Sequence, residues 1–62
     1  MRKVDWKDKE DVIKFAKEMN EIARPGFSLL VFQYKGSNNY HICHVERRDI
    51  YERSDILIVW RP

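Results

Sequence analysis

Two runs of this chain, Phe27-Ser28-Leu29-Leu30-Val31-Phe32 and Ile56-Leu57-Ile58-Val59-Trp60, are apolar at almost every position. A strand with one solvated face alternates apolar and polar residues, because successive side chains point to opposite sides of the sheet. Neither run alternates, so both read as strands buried on two faces. Only one other segment has a strong helical pattern, and one helix covers one face. The expectation is that something outside the chain, most simply a second copy of it, covers the other.

Length sharpens that expectation. The 62 residues make one domain spanning 1–62, and a domain of this size buries too little surface to hold much stability in reserve. Disulfides often close the gap in small domains, but the lone Cys43 excludes an intrachain bridge. Association gains weight accordingly. The 12 basic and 10 acidic residues give a formal charge of +2, which supplies no electrostatic case for a nucleic-acid or membrane partner. No apolar run reaches membrane-spanning length, and the N-terminus lacks a signal-peptide core. With a single free thiol, the expected compartment is the cytoplasm. Size and composition also suit a viral or mobile-element gene, whose product would act in the host cytoplasm.

The helix begins where Asp8 can cap free backbone N–H groups and Glu10 and Asp11 face the positive end of the dipole. Val12, Phe15, Ala16, Met19, Ile22 and Ala23 then recur at spacings of three and four, an apolar stripe of helical period. Glu10–Lys14 and Lys17–Glu21 are spaced to pair on the opposite side. Trp6 is expected to fold back onto the first turn. Arg24-Pro25-Gly26 stops the helix.

Strands are predicted over 27–35 and 40–46, joined by Gly36-Ser37-Asn38-Asn39, with a third over 55–60. A four-residue loop pairs Lys35 with Tyr40, Gln33 with Ile42 and Val31 with His44. One hairpin face then holds Leu30, Phe32, Tyr34, His41, Cys43 and Val45, the other Leu29, Val31, Gln33, Tyr40, Ile42 and His44. Asp49 is placed to cap a single helical turn in the charged connection before the third strand. The predicted fold is α+β, one N-terminal helix on a three-stranded antiparallel sheet in the order αβββ.

His41-Ile42-Cys43-His44 invites a metal hypothesis, since imidazole and thiolate are zinc ligands. Strand geometry opposes it, because His41 and Cys43 share a face and His44 points away. No metal and no cofactor are expected. Cys43 as a nucleophile requires exposure and a base, whereas Phe32 and Val45 should bury it. No catalytic residue is assigned, and the chain reads as a non-enzyme. Arg47, Arg48 and Arg53, with Lys35 beside Tyr34 and Tyr40, form the one basic and aromatic combination suited to nucleic acid. Interleaved Glu46, Asp49 and Glu52 offset those arginines.

Lys35-Gly36-Ser37-Asn38-Asn39-Tyr40, following a helix and a strand, resembles the turn of small RNA-cleaving toxins with a double-stranded-RNA-binding-like fold. Those toxins carry a histidine after Gly-Ser and a further helix after the sheet. Here Asn38 stands in the histidine's place and the sheet is followed by no helix, so the resemblance does not carry the chemistry across.

The leading expectation is a small non-catalytic binding or inhibitor module. It would self-associate, as a dimer, and sequester or occlude a protein or small ligand. If the helix packs on the Phe32 and Cys43 face, the partner-binding surface comprises Leu29, Val31, Gln33, Tyr40, Ile42 and His44, with Leu57 or Val59 completing the dimer contact. The alternative is an RNA- or DNA-binding regulator using Lys35, Arg47, Arg48 and Arg53.

Overall fold

The structure, a computed structural model, describes residues 2–46 and 53–62. Helix α1 (Lys9–Asn20) precedes strands β1 (Phe27–Tyr34), β2 (His41–Glu46) and β3 (Ile56–Trp60). The sheet order is β2-β1-β3, with both outer strands antiparallel to β1. The αβββ reading holds. No helix among the described residues is long and apolar enough to cross a membrane. The expected turn at Asp49 lies outside the described residues.

Asp8 caps α1, its Oδ1 accepting from the backbone N–H of Glu10 at 3.0 Å and of Asp11 at 3.4 Å. Trp6 does return to the helix, meeting Phe15 edge-on with ring centroids 6.0 Å apart. The helix stops earlier than the apolar stripe suggests. After Asn20 the N–H groups of Ile22 and Ala23 bond back three residues, to Met19 and Asn20. That tighter winding turns Ile22 out of the stripe, and it is 75% exposed. Arg24-Pro25-Gly26-Phe27 then forms a turn closed by the Phe27 N–H on the Arg24 carbonyl. Gly26 sits at φ +85°, as a type II turn with proline in its second position requires.

The hairpin register differs by two residues from the expected one: Val31 pairs with Ile42 and Leu29 with His44. Two bonds, one local and one tertiary, explain the slip. Tyr34-Lys35-Gly36-Ser37 closes its own turn through the Ser37 N–H on the Tyr34 carbonyl, with Gly36 at φ +86°. The Tyr40 N–H, needed for the shorter hairpin, instead donates to the Trp6 carbonyl at 2.8 Å. A slip of two preserves side-chain alternation, so both hairpin faces keep their expected members.

The helix lies on the Val31 face, so the condition on which the partner-binding surface was assigned, a helix on the Phe32 and Cys43 face, is not met. Val12 and Ala16 pack on Val31, all fully buried, with Val4, Ile13, Tyr40, Ile42, Val59 and Trp60 around them. The small Ala16 side chain lets the helix approach the β-branched floor closely. Asn20 then fixes it there. Its Nδ2 donates to the Leu29 carbonyl at 3.0 Å and to the Ala16 carbonyl at 2.9 Å, and its Oδ1 accepts from the Leu29 N–H at 2.8 Å. Val31, two residues on, pairs with Trp60, the last residue of β3. The Asn20 amide therefore stands in for the strand residue that β3 no longer supplies at Leu29.

The second face of β1 is also buried within the chain. Leu30 is 1% exposed, and Phe32 and Ile56 each 6%, with Cys43 and Val45 packed against them. The large apolar side chains left exposed are Trp6 (41%), Leu57 (51%) and Ile58 (38%), besides Ile22 and Tyr34.

Candidate binding surfaces

The six residues expected to meet a partner do not form one open surface, because α1 covers their face. Val31 is fully buried, and Tyr40 and Ile42 are half-buried against the same cluster. Gln33 is tied to the hairpin turn, its Nε2 donating to the Ser37 carbonyl at 2.6 Å. Leu29 and His44 reach a shallow groove of about 320 Å³ near the end of α1, bordered also by Met19, Ile22, Ala23 and Arg24, and the rims of Tyr40 and Ile42 reach a separate one. The His44 ring lies 4.9 Å from that of Phe27, over which the Arg24 guanidinium sits at 5.5 Å.

Of the basic residues of the alternative reading, the two that are described lie at one end of the sheet. Arg53 makes a bidentate ion pair with Asp55, at 3.0 and 2.6 Å. Lys35 is at that same end of the sheet, its N–H donating to the Asp55 carbonyl at 3.1 Å. Strand β2 finishes at the other end, where Glu46 pairs with Phe27. Arg47 and Arg48 lie outside the described residues.

His41 and Cys43 sit on the face away from α1 and His44 on the helix side, as alternation dictates. His41 stacks on Phe32 at 5.4 Å and meets Tyr34 edge-on at 5.1 Å, while Cys43 is half-buried beside the Leu30 cluster. Among the described residues no three His, Cys, Asp or Glu side chains converge on a point that would hold a metal.

A larger concavity brings two of the expected residues, Tyr40 and Ile42, together with residues not expected at a site. Two adjoining grooves, of about 440 and 530 Å³, share Trp6 and Asn39 as walls. Tyr40, His41 and Ile42 line the first, and Lys3, Val4, Asp5, Lys7 and Asp11 the second. A dense set of bonds holds Trp6 in place. Its carbonyl accepts the Tyr40 N–H, the Asp5 N–H donates to Asp11 Oδ2 at 2.8 Å, and Arg2 bridges Asp11 and Glu18. Asp5 N–H and the Arg2 guanidinium together hold the Asp11 carboxyl below its ordinary pKa, the backbone bond contributing most. Asp11 is thereby engaged, and Asp5 accepts the Lys7 N–H at 3.1 Å. Among the described residues neither Lys3 nor Lys7 forms an ion pair. The groove thus combines an aromatic wall, the Asn39 amide and two ammonium groups. Its signal in the sequence is a lone tryptophan within a charged lead; the approach of Asn39 depends on tertiary structure and leaves no local trace.

Comparison with protein-family models, with curated proteins and with solved structures found no match to this chain.

Proposed function

We propose that this chain is a non-catalytic binding module that self-associates and captures a segment of another protein at the Trp6 groove. The observation that carries the reading is Trp6 itself. It is a large aromatic, 41% exposed, standing between two grooves on a segment pinned by Asp11, Arg2 and Tyr40. Exposing an indole is unfavourable, whereas a rigidly presented indole beside a recess is an effective anchor for a partner's apolar side chain. Lys3 and Lys7 on the rim select for acidic neighbours of that side chain. The occupant is therefore an acidic peptide segment with an aromatic or aliphatic residue at its centre.

A display library of random peptides tests this directly. Selection should enrich an apolar residue flanked by Asp or Glu, and synthetic peptides of that pattern should shift Trp6 fluorescence. Trp6→Ala should abolish binding and Lys3→Glu/Lys7→Glu weaken it, with the far-ultraviolet dichroism retained. Failure to enrich acidic peptides overturns the reading. So does tighter binding to single-stranded RNA with steep salt dependence, the outcome required by a nucleic-acid regulator built on Lys35, Arg47, Arg48 and Arg53.

A further inference from the structure

The two edges of the sheet are unlike. At the outer edge of β2 the first backbone donor, the Tyr40 N–H, is taken by the Trp6 carbonyl, and the strand itself carries His41, His44 and Glu46. These are the usual obstacles to adding a further strand. The outer edge of β3 has none of them. Ile56–Trp60 holds no charge and no proline, and among the described residues no strand pairs with its outer side. Leu57 and Ile58 are 51% and 38% exposed there.

Backbone direction along β3 follows from the ladder. Lys35 donates to the Asp55 carbonyl, and alternation then turns Lys35, Gln33 and Val31 toward β3. Gln33 pairs with Leu57, so Asp55 and Leu57 spend their polar groups on β1. Ile56 and Ile58 therefore direct their N–H and C=O groups outward. The one register irregularity, where Phe32 faces Ile58 and Val31 faces Trp60, comes after Ile58, leaving the stretch from Ile56 to Ile58 regular.

From this geometry we infer that β3 pairs antiparallel with β3 of a second copy of the chain across a two-fold axis at Leu57, making one continuous six-stranded sheet. This rests on the self-association part of the proposed function and names its surface. In that register Ile56 of each copy faces Ile58 of the other, and all four outward groups of each strand are bonded. Centring the axis on Ile56 or Ile58 satisfies fewer of them. Leu57 meets Leu57 of the second copy in a non-hydrogen-bonded pair, the closer of the two antiparallel spacings.

Cysteine scanning on a Cys43→Ser background tests the register, and sedimentation tests association. Leu57→Cys should form a disulfide-linked dimer on mild oxidation, because a non-hydrogen-bonded pair holds its Cα atoms about 4.5 Å apart, within disulfide range. Ile58→Cys, facing Ile56, should cross-link far more slowly. Leu57→Lys should raise the dimer dissociation constant by roughly tenfold or more through like charges at the axis, while its circular dichroism stays that of the parent. Faster cross-linking at Ile58 than at Leu57 overturns this register. A dimer that cross-links at neither position and ignores Leu57→Lys overturns the edge pairing while leaving self-association intact. A monomer at all concentrations overturns both.

Discussion

Asn20→Ala separates local propensity from tertiary structure, because the two predict opposite signs. Asn20 is the last residue of α1, and alanine there is the better helix former by roughly 0.5–0.7 kcal/mol. On propensity alone the variant gains stability. The structure predicts a loss. Three hydrogen bonds disappear, and the N–H and carbonyl of Leu29 lose their partner at a half-buried position where β3 has already ended. An unmade buried hydrogen bond costs about 1–3 kcal/mol per group, and water entering at the helix end recovers part of that. With the propensity gain subtracted, the net loss is about 1–2 kcal/mol. In a domain this small each kcal/mol moves the midpoint by about 4–8 °C, so Tm should fall by roughly 5–15 °C. Thermal melts followed by circular dichroism measure it. Asn20→Asp, which keeps the acceptor for the Leu29 N–H and loses both donated bonds, should also be destabilised. An unchanged or raised Tm for Asn20→Ala would refute the view that this amide completes the sheet.

Three further substitutions follow from the same geometry. Val31→Asp places a carboxylate beneath α1 with no partner and should unfold the chain, whereas Leu57→Asp, on the exposed edge, should leave it folded; urea denaturation of both decides whether the helix covers the face assigned to it. Asp11→Asn should free the segment carrying Trp6. Because the folded pKa of Asp11 is lowered, its contribution is full above the ordinary carboxylate value and is lost only as pH falls through the lower folded value. Trp6 fluorescence of parent and variant should therefore differ at neutral pH and converge only in strong acid; identical traces at neutral pH would refute the tether.

What could be read from the sequence was whatever a few adjacent residues determine. Asp8 as a cap, the Val12–Ala16 stripe, Pro25-Gly26 as a turn and the alternation of the hairpin faces all depend on neighbours within a turn or a strand. The hairpin register was not legible, since its deciding bond runs from Tyr40 to Trp6, thirty-four positions back along the chain. Nor was the choice of helix face. Both hairpin faces offer aliphatic and aromatic residues in comparable number, and the deciding features are the smallness of Ala16 and the reach of Asn20 to Leu29. Asn20 reads in sequence as a poor helix former, and the structure gives it the role of a strand residue.

The apolar surplus illustrates why counting hydrophobic residues does not locate an interface. Of the two runs without alternation only β1 is buried on both faces, with Val31 buried under the helix and Leu30 and Phe32 buried on the other side. For β1 that burial needs no second copy on the sheet face, because its side chains are covered within the chain. A three-stranded sheet has one central strand and two edges, and the apolar run assigned to the centre uses its hydrophobicity internally. The run assigned to an edge cannot. β3 has β1 on one side only, so Leu57 and Ile58 stay exposed and the outward amides of Ile56 and Ile58 lack ladder partners among the described residues. Strand order, which composition does not encode, thus decides which of two similar segments is core and which is available for association. The proposed second copy accordingly belongs along the β3 edge, where backbone hydrogen bonds as well as apolar contact would hold it.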